Sequence, residues 1–569
     1  MFTMRSHYPL LVSAAEKKLE NMLTMICTDE TSLYRGALDD QYNSLLEPGT
    51  GSGLIHSCCV LYSCKESRYF RDPALLPVIH DACEMILRTA HPDGTSDFLA
   101  TNFYTPASFE IISLCRGYKL FAKYMEDNAA ELSLRDLMIR TISHWANGCL
   151  NGGFHTPNHR WVESAAMAMC YNITGDPALL TKINCYLSEG IDCDEYGEFT
   201  ERSMGTYNPI NDNAMMILAE ELHKPELYEY VKRNMELTFS YYESDGTVFT
   251  RNSTRQDSAY DRTFPSRIWY YLYLWAGELF GEPRYLKFAA DMFQTSAMNG
   301  EGVPECLWLY LERPKLQTLE PDLTDISIPT EYHSFYPNSR ILRVRKGDFS
   351  YTLLSRNPDF LHIKFGTQTM TLRMCSSFFA VAQFAPETIT KTETGYRMTF
   401  RGHGEYKGLF PEPPASPDWD KMDHSLRPVI HSCDLDYTLD ITDLEDGVSL
   451  HIRVDNTPRV PFKLEFVLPA GVKLETDQVI LTTTPDGELA IKEGSMRIED
   501  MPTEAKSLFP GSLQSTPTTK TCAAAFRPAG MPLLFIPLTF LPSTARWRSA
   551  SPSVCLHGRY IRSSKIVRC

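Results

Sequence analysis

Apolar positions in the first part of the chain follow the spacing of amphipathic helices. Between residues 8 and 299, apolar residues recur three and four positions apart, and short stretches with Gly, Pro or Asp separate the repeating segments. This pattern predicts consecutive paired helices, for example over residues 75–90, 134–150, 178–189, 225–242 and 283–298.

The pattern changes near residue 325. From about residue 328 onward, short runs rich in Val, Ile, Thr, Tyr and Phe alternate between apolar and polar positions. Examples are residues 341–344, 350–354, 396–400, 449–454 and 463–467, and together they predict an antiparallel β-sandwich. Helices followed by strands indicate two segregated domains, 1–325 and 326–504, with a site expected at their junction.

The last 65 residues, 505–569, fit neither pattern. They contain no Asp or Glu and carry nine Lys and Arg, whereas a proportional share of the 71 acidic residues would be about eight. We interpret this segment as a translated frameshift or a misplaced C-terminal gene boundary that replaces the final strands of the sandwich. A basic tail that binds a partner is the alternative. Function is therefore sought in residues 1–504.

Composition and charge narrow the function classes. The chain has 569 residues, 43% hydrophobic and 22% charged, which is typical of a large globular protein. Its formal net charge of −16 argues against a protein that binds nucleic acid through general electrostatics. An anionic substrate would need a local basic cleft.

The sequence predicts no membrane anchor. The longest apolar stretch, residues 531–542, is interrupted by Pro and is far shorter than the about 20 residues of a membrane-spanning helix. The N-terminus has a short apolar run without a clear cleavage region, so no signal peptide is expected. The sixteen Cys are scattered among apolar neighbours without CxxC pairs. These features predict a cytoplasmic location.

The first of three polar loops, residues 154–161, precedes an apolar helix predicted at 162–171. Asn158 offers an amide donor and His159 a titratable imidazole at a helix N-terminus, and both suit an anionic group. Two alternatives stay open. In one, Asn158 is the N-cap of the helix. In the other, His159 shares a metal ion or a surface charge pair with Glu163, four residues later.

The second loop, residues 192–208, is too long for a simple helix–helix connection, and such loops are usually functional or disordered. Its acids lack the ligand spacing of an EF-hand, so calcium is a weak hypothesis. Tyr207 lies among polar neighbours, which suit a phenol that takes part in catalysis. The alternative is that Tyr207 is an aromatic residue of the core. Because a phenolate needs a nearby cation, we expect Arg202 to lie close to Tyr207.

The third loop, residues 249–262, connects the helix at 225–242 to an aromatic helix at 267–280. Arg255 and Arg262 provide forked donors for a carboxylate or sulfate group, and Asp257 is suited to hold one of them. A solvated loop without a function is the alternative.

These motifs, in this order, resemble the heparinase II/III-like polysaccharide lyases over roughly residues 30–500. The resemblance rests on the Asn158-His159 pair, on a Gly-x-x-x-Glu-Arg-Ser-x-Gly-x-Tyr run ending at Tyr207, and on the residues from His333 to Pro337. Residues 101–106 resemble the substrate-lining loop of such proteins. The resemblance implies an incomplete (α/α) toroid followed by an antiparallel β-sandwich.

The same resemblance implies β-elimination on a glycan that contains uronic acid, which leaves an unsaturated uronate end. Removing the proton next to a carboxylate builds charge on an anionic group, so the site must neutralise that carboxylate. Asn158 and His159 are the expected neutralisers. Tyr207 is the expected proton donor to the leaving oxygen, and either Tyr207 or His159 is the base. His333 and Tyr336 are further acid or base candidates.

The predicted partner is an anionic uronic-acid oligo- or polysaccharide. The residues expected to bind it are Asn102, Trp161, Arg202, Arg255, Asp257 and Arg262. For Trp161, core packing is the alternative to stacking on a sugar ring. We expect no metal and no other cofactor, because members with a metal in the sandwich use a His and Asp cluster, whereas His362 stands alone within residues 360–364.

Two other function classes remain. A toroidal glycoside hydrolase would need two carboxylates that flank the scissile bond, and Glu198, Glu201 and Asp257 are the available loop acids. A non-catalytic glycan-binding protein would bind such a chain without turnover.

Overall fold

The computed structural model describes residues 4–40, 45–46, 48–97, 104–259, 262–298, 302–379, 383–445, 447–477, 479–484, 487–490 and 496–499, and the short segments 533–538, 544–548, 557–558 and 567–568. The chain divides into two compact units. The helical unit comprises Met1–Tyr242 and Val248–Ile328, and the β unit comprises Glu243–Thr247 and Pro329–Cys569. The sequence pattern places its change of character close by, at residue 325, but does not indicate that residues 243–247 join the β unit.

The helical unit contains α-helices that match the predicted apolar periodicity. The predicted helices at 75–90, 134–150, 178–189, 225–242 and 283–298 correspond to α3, α5, α7, α9 and α11. In chain order the helices are α1 (His7–Thr24), α2 (Pro48–Ser63), α3 (Leu75–Thr89), α4 (Ser108–Tyr124), α5 (Ala129–Asn151), α6 (Pro157–Thr174), α7 (Pro177–Ser188), α8 (Tyr207–Glu221), α9 (Tyr228–Tyr241), α10 (Ser266–Phe280), α11 (Pro283–Met298) and α12 (Leu307–Glu312). Short strands in the same part of the sequence are β1 (Asp39–Asp40), β2 (Leu45–Leu46), β3 (Thr247–Val248) and β4 (Arg262–Thr263).

The reversal between α6 and α7 shows how local sequence sets these helices. Gly175 follows the last residue of α6 with a φ of 74°, a left-handed conformation that glycine adopts without steric cost. Asp176 then caps α7, because its side chain accepts the N–H of Ala178, and Pro177 takes the first helical position. The two helices consequently pack against each other.

The helices form two layers. Helices α2, α4, α6, α8 and α10 contact one another in sequence, and α12 contacts α1, α2 and α4. Helices α3, α5, α7, α9 and α11 pack against members of this row. The α6 residues 161–170 are all buried, as expected for a helix surrounded by protein on every side. This arrangement confirms the helical toroid. None of the described helices is long and apolar enough to cross a membrane.

The β unit contains strands where the alternating runs predict them. The predicted runs at 341–344, 350–354, 396–400, 449–454 and 463–467 lie within β6, β7, β11, β13 and β14. The strands are β5 (Glu331–Tyr336), β6 (Ile341–Lys346), β7 (Phe349–Leu354), β8 (Leu361–Phe365), β9 (Gln368–Ser376), β10 (Thr388–Lys391), β11 (Gly395–Lys407), β12 (Val429–Leu444), β13 (Gly447–Asn456), β14 (Phe462–Val467), β15 (Lys473–Thr476), β16 (Ile480–Thr482), β17 (Glu488–Ala490), β18 (Met496–Glu499), β19 (Leu533–Leu538), β20 (Thr544–Arg548), β21 (His557–Gly558) and β22 (Val567–Arg568).

Two sheets share one hydrophobic core. One sheet has the strand order β17-β19-β14-β9-β8-β7-β6-β5 and the other β10-β11-β12-β13-β20. Alternate residues face the core, among them Leu372 and Met374 from the first sheet and Leu439 and Ile441 from the second. Strands β17 and β19 pair in parallel, and the neighbours that the predicted runs form are antiparallel. The expected sandwich is therefore confirmed.

Strands β19 and β20 come from the acid-free segment 505–569. They pair with β14 and β13 respectively. Apart from these strands and β21 and β22, that segment lies outside the described residues, so its proposed origin stays a prediction.

Residues 243–247 are held in the β unit by ion pairs. Arg343 of β6 donates to Glu243 Oε1 at 2.6 Å, and their side chains are 1% and 5% exposed. Lys364 of β8 lies 2.8 Å from Asp245 Oδ2. A short segment between α9 and β4 therefore packs on the strands through neutralised charges rather than through apolar contacts.

Candidate active site

Asn158 lies in the first turn of α6 and is completely buried. Its Nδ2 donates to Glu201 Oε1 at 3.0 Å and Oε2 at 2.9 Å, and lies 3.1 Å from Thr156 Oγ. The N-cap of α6 is Thr156, because the helix begins at Pro157 rather than at residue 162. The N-cap alternative for Asn158 is therefore wrong. Its amide binds a protein carboxylate, not an exposed anion site.

Glu201 is the partner that the sequence analysis did not assign to Asn158. Its side chain is 3% exposed, and Arg255 Nε lies 3.4 Å from its Oε1. Burial raises the pKa of Glu201, while the Asn158 amide and the Arg255 charge oppose that rise. Glu201 thus links the first loop to the third. The signal available in the sequence was its place beside Arg202 in the run that ends at Tyr207.

His159 is half-buried at the start of α6, with two rings edge-on to it. The His155 and Phe109 ring centroids lie 4.7 and 5.3 Å from its own. Burial lowers the pKa of His159 to about 4, and the charges of His155 and Arg255 act in the same direction. The imidazole is therefore neutral near pH 7 and can accept a proton.

Glu163 does not form the charge pair or metal site considered for His159. It is completely buried, and its Oε2 accepts the Tyr186 hydroxyl at 3.1 Å. Both alternatives built on the spacing of His159 and Glu163 are wrong, because this carboxylate faces the interior between α6 and α7.

Tyr207 is the first residue of α8 and is partly exposed. Gln256 Nε2 donates to its hydroxyl at 2.9 Å, so the hydroxyl does not use its own proton in this bond. The Arg255 guanidinium carbon lies 4.9 Å from the ring centroid. The cation over Tyr207 is therefore Arg255, from the third loop, where the sequence analysis expected Arg202. Gln256 was missed because nothing in the sequence connects it to Tyr207.

Arg202 has a φ of 50°, a left-handed conformation that is uncommon for a non-glycine residue. Burial raises the pKa of the nearby Glu198 to about 7, and the charge of Arg202 opposes that rise. The backbone of residue 202 also closes a turn, since its N–H donates to the Phe199 carbonyl at 2.8 Å.

Asp257 ties the second loop to the third. It is completely buried and accepts the Ser203 hydroxyl at 2.8 Å and the Ser253 hydroxyl at 2.5 Å. The backbone N–H of Thr254 also donates to the Glu201 carbonyl at 3.0 Å. The expectation that Asp257 contacts substrate is wrong, because the side chain is completely buried. Whether Asp257 also holds Arg262 stays a prediction, since the side chain of Arg262 lies outside the described residues.

Trp161 is a core residue. Its ring is completely buried, and its Nε1 donates to Asp192 Oδ1 at 2.6 Å. The Arg160 guanidinium carbon lies 4.6 Å from the ring centroid. The prediction that Trp161 stacks on a sugar is wrong, and the core-packing alternative is correct.

Two other expected substrate contacts are not tested. Asn102 lies outside the described residues. Arg262 lies in β4, but its side chain is outside the described part of the chain.

His333 and Tyr336 lie on β5, at the edge of one sheet of the β unit. The His333 Nε2 is 2.6 Å from the Tyr396 hydroxyl, and burial lowers the pKa of His333. Because successive residues of a strand alternate between faces, these two side chains, three positions apart, emerge on opposite faces. They do not form a pair within this unit.

No group of three or more His, Cys, Asp or Glu side chains in the described parts of either unit is arranged to hold a metal ion. The sandwich residue His362 has its Nδ1 at 3.0 Å from the Thr371 hydroxyl.

Comparisons with known proteins identify the fold. No protein-family model matches the chain, and no curated protein matches it. The chain is similar to a Paenibacillus xanthan lyase structure, with 10% identity and a TM-score of 0.52, over 86% of this chain and 50% of that one. It is also similar to a mutant of the chondroitin AC lyase of Streptomyces coelicolor A3, with 12% identity and a TM-score of 0.50, over 86% and 72% of the two chains.

These likenesses show the fold. The chain spans half the length of the xanthan lyase. It shares with these two lyases the fold of a helical toroid followed by a β-rich domain, which is the fold that the resemblance to heparinase-like lyases implies.

Proposed function

We propose that the protein is a lyase that cleaves a uronic-acid-containing glycan by β-elimination. The observation that carries the proposal is the cluster around Arg255: its guanidinium lies 4.9 Å from the Tyr207 ring centroid and its charge helps keep His159 neutral. A cation, a neutral imidazole and a phenol hydroxyl are groups that suit this reaction.

The proposed reaction assigns one step to each group. Arg255 binds the uronate carboxylate and stabilises the charge that builds on it when the adjacent carbon loses its proton. Neutral His159 accepts that proton. The electron pair of the broken C–H bond forms the new carbon–carbon double bond, the glycosidic C–O bond breaks, and Tyr207 donates its proton to the leaving oxygen. For the stereochemistry in which proton and leaving group share a face, Tyr207 would start as a phenolate beside Arg255, accept the proton from carbon and pass that same proton to the leaving oxygen.

This assignment revises the expected role of Asn158. Its amide donates to the buried Glu201, which in turn lies 3.4 Å from Arg255. Asn158 therefore supports the cation instead of neutralising the uronate, and Arg255 takes that role.

The other two classes have less support. The acids available to a hydrolase, Glu198, Glu201 and Asp257, are 4%, 2% and 0% exposed, and each accepts hydrogen bonds from neighbouring side chains. Two carboxylates that flank a glycosidic bond must reach the sugar. A pure binding protein would not need a neutral imidazole and a phenol near the same arginine.

We propose that the substrates are anionic oligosaccharides and that the protein acts in the cytoplasm, where imported short chains are available. A positive site in a chain of net charge −16 would attract such anions locally.

The test is an assay of uronic-acid glycans of different lengths, epimers and sulfation, monitored by the ultraviolet absorbance of unsaturated ends. A lyase gives absorbance that rises with cleavage. Saturated ends without absorbance would identify a hydrolase, and saturable binding without cleavage would identify a binding protein. Chelator treatment should leave the activity unchanged, and a loss on metal removal would contradict the metal-free mechanism.

A further inference from the structure

Glu198, which the proposed reaction does not use, lies at the centre of a buried hydrogen-bond network. It is 4% exposed. Its Oε2 accepts the Tyr241 hydroxyl at 2.7 Å, and its Oε1 accepts Asn208 Nδ2 at 3.2 Å. The Tyr241 hydroxyl in turn accepts Asn252 Nδ2 at 2.8 Å.

Tyr241 and Asn208, which donate to Glu198, are neutral, and the charge of Arg202 acts on the carboxyl group from nearby. Burial raises the pKa of Glu198 to about 7, and the bonds from Tyr241 and Asn208 oppose the rise. An acidic side chain in such an environment is costly to bury, and a hydrophobic residue of similar size would avoid that cost. The cost indicates that the carboxyl group does something that packing alone does not require.

The network has two arms that end beside the candidate catalytic groups. The first arm, Asn208, is the residue after Tyr207 at the start of α8. The second arm runs through Tyr241, the last residue of α9, to Asn252 in the third loop. Four residues after Asn252, Gln256 donates to the Tyr207 hydroxyl.

We propose that Glu198 is a positioning residue that holds the third loop at a set distance from Tyr207, through Asn208 on one side and Tyr241 with Asn252 on the other. The expected effect of Glu198 on kcat rests on the proposed elimination. Its expected effect on the mobility of the third loop does not. The Tyr207–Gln256 bond joins two segments that Glu198 also joins, so loss of the carboxyl group removes one restraint between them, while the Asp257–Ser203 and Thr254–Glu201 bonds remain.

The structural consequence is measured without substrate, by amide hydrogen exchange of residues 252–258. In Glu198→Ala and in Tyr241→Phe, we expect exchange in this loop to accelerate at least about tenfold, because the bonds that restrain local opening are removed. Tyr62→Phe is the matched control, since Tyr62 also donates to a buried glutamate, Glu131, in the same unit. Unchanged exchange in Tyr241→Phe, or equal acceleration in the control, would overturn the proposal.

The kinetic consequence is a fall in kcat. We expect Glu198→Ala to lower kcat about tenfold to a hundredfold, because a misplaced proton donor slows the chemical step, and Tyr62→Phe to stay within about twofold. The double variant Glu198→Ala with Tyr241→Phe should be no slower than Glu198→Ala, because both changes break the same bond. Multiplying effects in the double variant would contradict a shared network.

The variant Glu198→Gln tests whether this side chain acts through its hydrogen bonds or through its charge. Its amide oxygen still accepts from Asn208, and its amide nitrogen can donate to the Tyr241 hydroxyl, so we expect slow loop exchange and most of kcat to return. If Glu198→Gln were as impaired as Glu198→Ala, the carboxyl group would not act by positioning. If the wild-type protein cleaves no uronic glycan, the proposed function fails, and the exchange experiment still decides the role of Glu198.

Discussion

Buried acidic side chains in the two units differ in the groups that they contact. In the helical unit, Glu198 and Asp257 accept hydrogen bonds from neutral hydroxyl and amide groups. In the β unit, Glu243 faces Arg343 at 2.6 Å and Asp245 faces Lys364 at 2.8 Å. These two acids of the helical unit accept hydrogen bonds from neutral groups, whereas the two acids of the β unit face cations.

The difference indicates two uses of a buried acid: one holds functional side chains in place, and the other joins two segments of the chain. The free energy of ionising a buried carboxyl group that has no cation beside it depends on the dipoles around it. Such groups are concentrated at functional sites. A buried ion pair holds two segments together and loses its stabilising value when one partner is removed. Glu198 and Asp257 lie in the loops that carry Tyr207 and Arg255, whereas Glu243 and Asp245 join a short segment to strands. The chemistry that we propose uses residues of the helical unit.

The largest effect should come from removing one hydroxyl from that chemistry. We expect Tyr207→Phe to lower kcat about 10³-fold, because the hydroxyl transfers the proton, while the melting temperature changes little. Tyr336→Phe, the matched change in the β unit, should lower kcat less than about tenfold. Kinetics of the two variants on one glycan check this. A comparable loss in Tyr336→Phe would bring the β unit into the chemistry.

The second prediction tests the buried ion pair between Arg343 and Glu243 in the β unit. Arg343→Met leaves Glu243 buried without its cation, so we expect the free energy of unfolding to fall by about 3–5 kcal/mol. Urea denaturation monitored by circular dichroism measures it. Adding Glu243→Gln to this variant should recover part of the loss, because no charge is then left buried. A loss below about 1 kcal/mol would mean that this pair resembles an exposed one.

The third effect is a pH dependence of stability from Glu198. Its folded pKa is about 7, above the 4.5 of an unperturbed glutamate, so the folded state holds this proton more tightly than the unfolded state does. The contribution is fully present below pH 4.5 and is lost as the pH rises through about 7, which corresponds to roughly 3 kcal/mol.

Glu198→Gln removes this titration. We expect its stability, relative to wild type, to rise between pH 4.5 and 7, as measured by denaturant midpoints at several pH values. Parallel pH profiles of the two proteins would show that Glu198 is ionised in both states.

The smallest effect concerns Arg255. If its guanidinium binds the substrate carboxylate, raising the salt concentration from about 0.05 to 0.5 M should raise KM a few-fold and leave kcat nearly unchanged, because salt screens attraction more than a desolvated proton transfer. Arg255→Gln should raise KM at low salt and lose most of this dependence. Initial rates over a range of substrate concentrations measure both constants, and an unchanged salt response in Arg255→Gln would exclude it as the cation.

Much of the fold could be predicted because helices and strands follow from the local periodicity of apolar residues. The apolar spacing marks α3, α5, α7, α9 and α11, and the alternation marks β6, β7, β11, β13 and β14, since the helix and strand repeats are properties of neighbouring residues. The motifs also identified the three loops and the residues Asn158, His159, Tyr207 and Arg255 as candidates. The partners of these residues were not predictable, because Glu201 and Gln256 lie 43 and 49 positions away from Asn158 and Tyr207.

Several wrong predictions share one cause. Trp161 and Asp257 have side chains that suit substrate contact, and both are completely buried. Residue type states what a group can do, whereas burial is set by helices and loops that are distant in the sequence. Distance along the chain also hid the contact of Arg255 with the Tyr207 ring, because the two residues are 48 positions apart.

The sequence by itself determined the order of helices and strands, the change of architecture near residue 325 and the loops that carry polar chemistry, because each depends on residues close together in the chain. Only the tertiary structure decided that Asn158 serves Glu201, that Arg255 lies over Tyr207 and that Glu198 connects the loops. Hydrogen bonds and ion pairs of this kind form between segments that folding brings together, and their strength depends on the burial that the same folding creates.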